Sequence, residues 1–188
     1  MLVPLFPSPV IHHECHGMKP ELLQWVKSYH QTGEHDGNSS SCGWHSKYDL
    51  HEDKDFLLHF LWIHAQITHA ILEITPARIE IASMWANING PTEFNMSHLH
   101  AGVDFSGCLW LQTPENCGVL TFENDNAITR YNWKVPEDIK EKYHLHDTTW
   151  FNPQAGSMLI FPADLRHRVE RNCSDEDRIS IGFNLKCS

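Results

Sequence analysis

A change of sequence pattern at Pro76 is the feature that most constrains how this chain can fold. Before it, apolar residues recur at helical spacing. After it, short apolar segments alternate with polar residues and are separated by Gly, Pro, Asn and Asp. Helices followed by a run of short strands favour an antiparallel sandwich or barrel with helices packed against one sheet. We therefore expect a mainly β protein with N-terminal helices.

The apolar spacing predicts two helices in the first part of the chain. One opens at Lys19-Pro20-Glu21, because proline is tolerated at the first helical position, and a longer one covers about 53–74. Between them, residues 31–51 are rich in Gly, Ser, Asn and His and are predicted to form a loop. The predicted strands are 78–88, 97–100, 107–112, 119–123, 148–152, 157–161, 166–171 and 178–185.

Length and pattern together predict one domain over residues 1–188. Residues 1–75 would form a helical support region, and residues 76–188 would form the β region. An insertion at 124–147, with a short helix predicted at 136–141, interrupts the β region. Such an insertion is compatible with a lid or substrate loop, and equally with a surface excursion.

Composition argues against several classes of function. Fourteen Lys and Arg against twenty-four Asp and Glu give a net charge of -10, and so acidic a surface repels nucleic acid. No stretch reaches the ~20 apolar residues of a membrane span, and the proline-rich first ten residues predict no signal peptide. The six cysteines form no C-x-x-C pair and match neither a zinc cluster nor a disulfide framework. A reducing, cytoplasmic location is therefore expected.

Three histidines are the candidate metal ligands. His98 and His100 are two residues apart on a predicted strand, where alternate side chains share a face, so both imidazoles should point the same way. His167 follows the Gly156 turn, an apolar strand and a proline corner, which would bring it beside an earlier strand in an antiparallel barrel. The H-x-H pattern alone is a weak signal, because surface pairs of histidine are common.

The last predicted strand carries a candidate anion-binding side chain. Its alternate apolar residues should face the helices, whereas Arg178, Ser180, Gly182 and Asn184 should face the barrel interior. A guanidinium buried there is costly unless it meets an anion. Two interpretations stay open: an ion pair with an internal Asp or Glu, or a carboxylate-bearing ligand held by Arg178 with help from the Ser180 hydroxyl.

These segments, in this order, resemble the 2-oxoglutarate/Fe(II)-dependent oxygenase superfamily, and are most similar to its uncharacterised members from bacteria and phages. The resemblance rests on H-x-H followed by the Ser106-Gly107 strand, on the segment 156–169, and on an R-x-S-x-x-F-N pattern over 178–184. It covers roughly residues 76–186. It implies a double-stranded β-helix, or jelly roll, with helices packed on one sheet, and it implies Fe(II) and 2-oxoglutarate as cofactor and co-substrate.

The superfamily usually holds iron with a His-x-Asp/Glu pair and a distant His. The resemblance makes His98 the first ligand and His167 the distant one, and it puts His100 where the carboxylate usually stands. Three arrangements stay open. We favour a three-histidine triad; Asp104 could instead supply the carboxylate, or His100 could be the first ligand with Gly102 at the carboxylate position.

The same resemblance implies that Arg178 and Ser180 bind the far carboxylate of 2-oxoglutarate. The enzyme would then be a dioxygenase that hydroxylates an unactivated C–H bond of an amino acid, peptide or small metabolite, with release of succinate and CO2. Neither the substrate nor the oligomeric state can be predicted from the sequence.

Two other functions stay open. A cupin barrel also uses H-x-H and a later His, and would be a three-histidine dioxygenase, an isomerase or a ligand-binding module. Against it, the interval from Gly156 to His167 is too long for the cupin turn, and an inward Arg178 has no role there. The second of these functions is a non-enzymatic barrel with a decayed metal site.

Several conspicuous residues are given plain structural interpretations. Asn87 and Asn89 are candidates to line the pocket, whereas Trp85 and Trp110 are assigned to core packing. The histidine-rich run 12–16 is assigned to a surface segment, because neighbouring residues cannot all converge on one ion.

Overall fold

A computed structural model describes residues 8–32, 41–125, 134–143 and 145–188. In these ranges eleven strands and three α-helices form. The strands are β1 (Ile11–Glu14), β2 (Ser41–Cys42), β3 (Trp44–His45), β4 (Ile79–Asn89), β5 (Phe94–His98), β6 (Phe105–Gln112), β7 (Leu120–Glu123), β8 (Thr148–Phe151), β9 (Ser157–Pro162), β10 (His167–Val169) and β11 (Arg178–Cys187). The helices are α1 (Pro20–Gln31), α2 (Leu57–Ile71) and α3 (Glu137–Tyr143).

The strands form two antiparallel sheets. A six-stranded sheet has the order β1-β9-β6-β11-β4-β3, and a five-stranded sheet has the order β2-β5-β10-β7-β8. From β4 to β11 the chain passes repeatedly from one sheet to the other, which is the connectivity of a jelly roll. The predicted fold, a double-stranded β-helix with N-terminal helices, is therefore confirmed.

The larger core lies between the helices and the outer face of the six-stranded sheet. Leu22 and Val26 of α1 and Ile63 and Ile67 of α2 are buried against alternate residues of the sheet. Helix α1 begins at Pro20, as predicted. Helix α2 begins at Leu57, later than the predicted 53, because turns occupy residues 54–56 and Phe56 takes the N-cap position.

A smaller core fills one end of the space between the two sheets. Leu159 and Phe161 of β9 pack there with Leu120, Phe122 and Trp110. The intervening residues of β9 belong to the helix-side core, so this strand contributes to both cores by simple alternation. The other end of the space between the sheets holds the cavity described below.

The prediction of a loop over 31–51 was wrong for its second half. Strand β2 pairs with β5 and strand β3 pairs with β4, so the segment 41–45 links the edges of the two sheets. A short 3-10 helix follows at Leu50–Glu52. Residues 33–40 lie outside the described residues. The strands were missed because two-residue strands are too short to show alternation.

Two further differences concern β1 and the insertion. The 12–16 run was assigned to a surface segment, and His12, Glu14 and His16 are indeed exposed, but the strand Ile11–Glu14 that pairs with β9 at the sheet edge was not predicted. In the insertion, α3 at Glu137–Tyr143 matches the predicted helix closely, and residues 126–133 and 144 lie outside the described part. No helix in the described ranges is long and apolar enough to cross a membrane.

We expect Leu185→Ala to lower the free energy of unfolding by about 2–5 kcal/mol, because Leu185 is fully buried in the helix-side core. The matched control is Leu61→Ala on α2, where the side chain is 53% exposed and the loss should stay under about 1 kcal/mol. Urea denaturation measures both. Equal losses would contradict the assignment of this face of β11 to the core.

Candidate functional site

Three histidines meet at one point between the sheets. His98 ends β5 and His167 begins β10, and the two residues are direct partners in the register of these strands. The side chain of His100 joins them, and the nitrogen atoms that could bind a metal all lie within 4.8 Å of one another. Ring centroids are separated by 4.4 Å for His98 and His167 and by 5.1 Å for His98 and His100.

The prediction that His98 and His100 share one strand was wrong, although their rings do face each other. Strand β5 ends at His98, and His100 lies two residues beyond it. The backbone N–H of His100 donates to the carbonyl of Ala163 at 2.8 Å. That bond ties the loop to the segment after β9, so the orientation of His100 comes from a tertiary contact rather than from strand alternation.

Backbone carbonyls fix the tautomers of two of the rings. Nδ1 of His98 lies 2.7 Å from the carbonyl of Met96, and Nδ1 of His167 lies 2.8 Å from that of Leu165. Because a carbonyl oxygen can only accept, each Nδ1 must carry the proton, which leaves the lone pair on Nε2. Metal-binding histidines are commonly oriented in this way.

The surroundings keep the imidazoles of His100 and His167 neutral. Burial, with a smaller contribution from the neighbouring His98, lowers the pKa of His167 to about 3. Burial likewise lowers the pKa of His100 to about 4, again with a contribution from His98. At neutral pH both rings therefore have a lone pair available for a metal ion.

A cavity of about 280 Å³ lies beside the three histidines and is lined by residues of both sheets. Phe161 packs edge-on against His167 at a centroid distance of 4.7 Å, and Trp85 lies 5.8 Å from His100. Trp85 is buried, as its assignment to core packing predicted, and it also lines this cavity. Trp110 belongs to the inter-sheet core, as expected, and also forms part of the cavity wall.

Arg178 reaches the same cavity from β11. It is only 2% exposed. Its Nη1 donates to the carbonyls of Cys117 and Glu170, whereas its Nη2 is buried without a hydrogen-bond partner. Burial lowers the pKa of Arg178. By contrast, the half-buried Arg168 donates to Glu123 at 2.5 Å.

The described residues offer Arg178 no carboxylate within ion-pair distance, so the internal ion pair considered from the sequence is not seen there. Ser180, two residues further along β11, lines the same cavity. Asn87 lies opposite Ser180 in the register of β4 and β11 and also lines it, with a buried Oδ1 that has no partner.

The carboxylate of Asp104 is engaged elsewhere. Its Oδ2 accepts a hydrogen bond of 2.8 Å from the backbone N–H of Cys187, at the end of β11. Asp104 is not part of the group of side chains that could share a metal ion. Gly102, the third alternative position, lies in a turn with a φ of 84°, and no atom comes within 4 Å of where its Cβ would be.

Among the residues of this cavity that sequence reasoning missed are His45 and Tyr48. Both lie in the segment predicted as a loop, and nothing in their local pattern distinguishes them from surface residues. They reach the cavity because β3 pairs with β4, and this pairing places the segment beside the edge of β4.

Residues 83–184, more than half of the chain, match the protein family described as "Putative 2OG-Fe(II) oxygenase". No curated protein matches the chain.

Several solved structures share the fold. An oxidoreductase of the 2OG-Fe(II) oxygenase family from Burkholderia pseudomallei is 16% identical, with a TM-score of 0.52 over 69% of this chain. This chain covers only 56% of that protein. The non-heme alpha ketoglutarate dependent epimerase SnoN from nogalamycin biosynthesis is 13% identical, with a TM-score of 0.68 over 95% of this chain and 76% of that one.

A prolyl-4-hydroxylase from Pseudomonas putida is 12% identical, with a TM-score of 0.58 over 95% of this chain and 93% of that one. At such low identities these likenesses concern the fold alone. The family match, by contrast, includes all three clustered histidines as well as Arg178 and Ser180. The chain belongs to the 2OG-Fe(II) oxygenase family.

Proposed function

We propose that this protein is a hydroxylase that uses Fe(II) and 2-oxoglutarate. His98, His100 and His167 would bind the metal ion, and Arg178 with Ser180 would bind the far carboxylate of the co-substrate. The overall reaction converts a C–H bond, O2 and 2-oxoglutarate into a C–OH group, succinate and CO2. The substrate would be an amino acid, a peptide or a small metabolite.

The observation that carries this proposal is the buried, unpartnered Nη2 of Arg178 in the cavity that also contains the three histidines. An orphaned donor on a buried guanidinium costs about 1–3 kcal/mol or more, so its retention needs a compensating acceptor. A carboxylate suits the planar guanidinium fork. 2-Oxoglutarate has one carboxylate for this purpose and a second, next to its keto group, that can reach the metal.

The donor set fits a first-row metal ion such as Fe(II). Three imidazoles converge, and two of them have their Nε2 lone pairs fixed by backbone acceptors. When bound, Fe(II) with 2-oxoglutarate supplies the O2 activation that lets an unactivated C–H bond react. Of the three arrangements considered, we propose the three-histidine triad, because the carboxylate of Asp104 accepts a hydrogen bond from the backbone N–H of Cys187.

The protein's own contribution is positioning and exclusion of water. Phe122 and Phe161 pack around His167, so the metal side of the cavity is dry on one flank. The carbonyls of Cys117 and Glu170 hold one end of the Arg178 guanidinium, which directs the remaining Nη2 to a ligand. A cupin-type function or a decayed site would give Nη2 no acceptor. Neither is favoured by a specific observation.

We expect the anaerobic protein with Fe(II) to develop a weak visible charge-transfer band on titration with 2-oxoglutarate. Arg178→Lys should raise the concentration needed by roughly 10- to 100-fold, because a point charge replaces the two-pronged donor and a charge-assisted hydrogen bond is lost. Absorption spectroscopy measures both. The control is Arg168→Lys, whose wild-type side chain bonds to Glu123 and Glu170 instead of lining the cavity; an equal effect there would contradict the role of Arg178.

The three-histidine triad is tested by metal affinity. His100→Ala should weaken Co(II) binding by at least about tenfold through loss of one donor, whereas His100→Asp should retain most of it, because a carboxylate is an ordinary donor for such metals. Asp104→Asn should have no effect, since its carboxamide oxygen can still accept from Cys187. Co(II) absorption follows binding. If Asp104→Asn lost metal as severely as His100→Ala, the carboxylate alternative would replace the triad.

A further inference from the structure

The cavity has an aromatic wall that the proposed function does not use. His45 stacks on Trp85 with ring centroids 5.6 Å apart and ring planes 15° apart. Tyr48 contacts both, at centroid distances of 4.6 Å and 5.2 Å. Trp85 in turn lies beside His100. Tyr48 is 42% exposed and Trp85 is buried, so this aromatic wall extends from solvent to the three histidines.

The position of the wall is fixed by the neighbouring strand. Gly182 of β11 is the register partner of Trp85, and a Cβ at Gly182 would overlap the indole ring. The indole therefore lies against the β11 backbone, where no other residue type would leave room for it. A flat, held ring surface next to the metal position suits a planar ligand group, which would gain stacking contacts there.

One polar atom beside the wall has no partner. Asn87 lies between His45 on β3 and Ser180 on β11 in the registers of the sheet. Its Oδ1 is buried and accepts no hydrogen bond. Both carboxylates and the keto group of 2-oxoglutarate can only accept. The co-substrate therefore cannot satisfy Oδ1, whereas a second ligand with a hydrogen-bond donor can.

The charges of the wall restrict that ligand further. Among the described residues that line the cavity there is no Asp, Glu or Lys, and Arg178 is the only side chain with a permanent charge. A cationic group would find no carboxylate in the wall. An anionic group would find the guanidinium already occupied by 2-oxoglutarate. The group that reaches Asn87 is thus best uncharged.

Resting on the proposed function, we infer that Asn87 and the aromatic wall of His45, Tyr48 and Trp85 form the substrate subsite. This subsite takes an uncharged, planar group with an N–H donor, that is, an amide. The planar face of the amide-bearing group lies against the aromatic wall, and its N–H donates to Oδ1 of Asn87. The reacting C–H bond would belong to the part of the substrate nearest the three histidines.

Three probes of one shape test this inference on the anaerobic protein loaded with Fe(II) and 2-oxoglutarate. Benzamide is planar, uncharged and has an N–H donor; methyl benzoate lacks the donor, and benzoate has a negative charge. Calorimetric titration should show benzamide binding about tenfold more tightly than either of the others, because a buried acceptor discriminates against a ligand that leaves it unpaired.

Two matched variants test whether Asn87 is the residue that causes the preference for benzamide. Asn87→Leu should abolish the preference for benzamide while leaving the 2-oxoglutarate charge-transfer band unchanged. Asn184→Leu is the control. Asn184 also has a buried Oδ1 without a partner, but it does not line the cavity, so the preference for benzamide should remain.

Each contrary result has a distinct meaning. Equal binding of the three probes to the wild-type protein, or a preference that survives Asn87→Leu, overturns the inference. A weakened charge-transfer band in Asn87→Leu also overturns it and assigns Asn87 to the co-substrate. No band in the wild-type protein would instead reject the proposed function, on which the subsite depends.

Discussion

The alternation of side chains along β11 is the constraint on which the rest of the structure depends. Ile179, Ile181, Phe183 and Leu185 are fully buried on the helix side, while Arg178, Ser180 and Gly182 line the cavity on the other side. Strand β11 pairs with β4 along one edge and with β6 along the other, so it sits near the middle of the six-stranded sheet. A slip of one residue would put Arg178 among aliphatic side chains and would expose the apolar set to the cavity. The same register therefore buries the apolar side chains of β11 in the core and directs Arg178 and Ser180 into the cavity.

The burial of Arg178 connects the stability of the fold with the proposed function. Nη1 bonds to carbonyls of Cys117 and Glu170, which lie just before β7 and just after β10, so the guanidinium bridges two connections of the five-stranded sheet. Those bonds satisfy only part of its donor capacity, and Nη2 is left over. A purely structural arginine would be better served by carboxylate partners, such as Glu123 and Glu170 provide for Arg168. The incomplete pairing of Arg178 at a buried position therefore favours the proposed ligand-binding role over a purely structural one.

The sequence predicted what depends on local periodicity and missed what depends on tertiary contact. Strands β4, β6, β9 and β11 alternate over six or more residues, and each was predicted within about two residues of its observed ends. Strands β2 and β3 are too short to alternate and β1 lies before the first helix, and these three strands pair with the edges of β5, β4 and β9 respectively. His100 was predicted to meet His98, which is correct, but the bond to Ala163 that orients it spans 63 residues and has no sequence signature. His45 and Tyr48 were missed for the same reason.

A histidine at position 100, where the superfamily usually has a carboxylate, would change the electrostatics of the whole cavity. The positive charge of a divalent metal ion and Arg178 together would exceed the negative charge of dianionic 2-oxoglutarate. Imidazole ligands are neutral, so the three histidines would not compensate the remaining positive charge. The described residues that line the cavity include no carboxylate. The excess positive charge would therefore be balanced only by solvent near Tyr48 and by the electrostatic field of a chain whose net charge is -10. A cationic substrate would be repelled at short range despite that acidic exterior, because the nearby excess charge acts in a medium of low polarity. The charge balance at the metal and the unpartnered oxygen of Asn87 thus favour the same kind of substrate, an uncharged one with a hydrogen to donate.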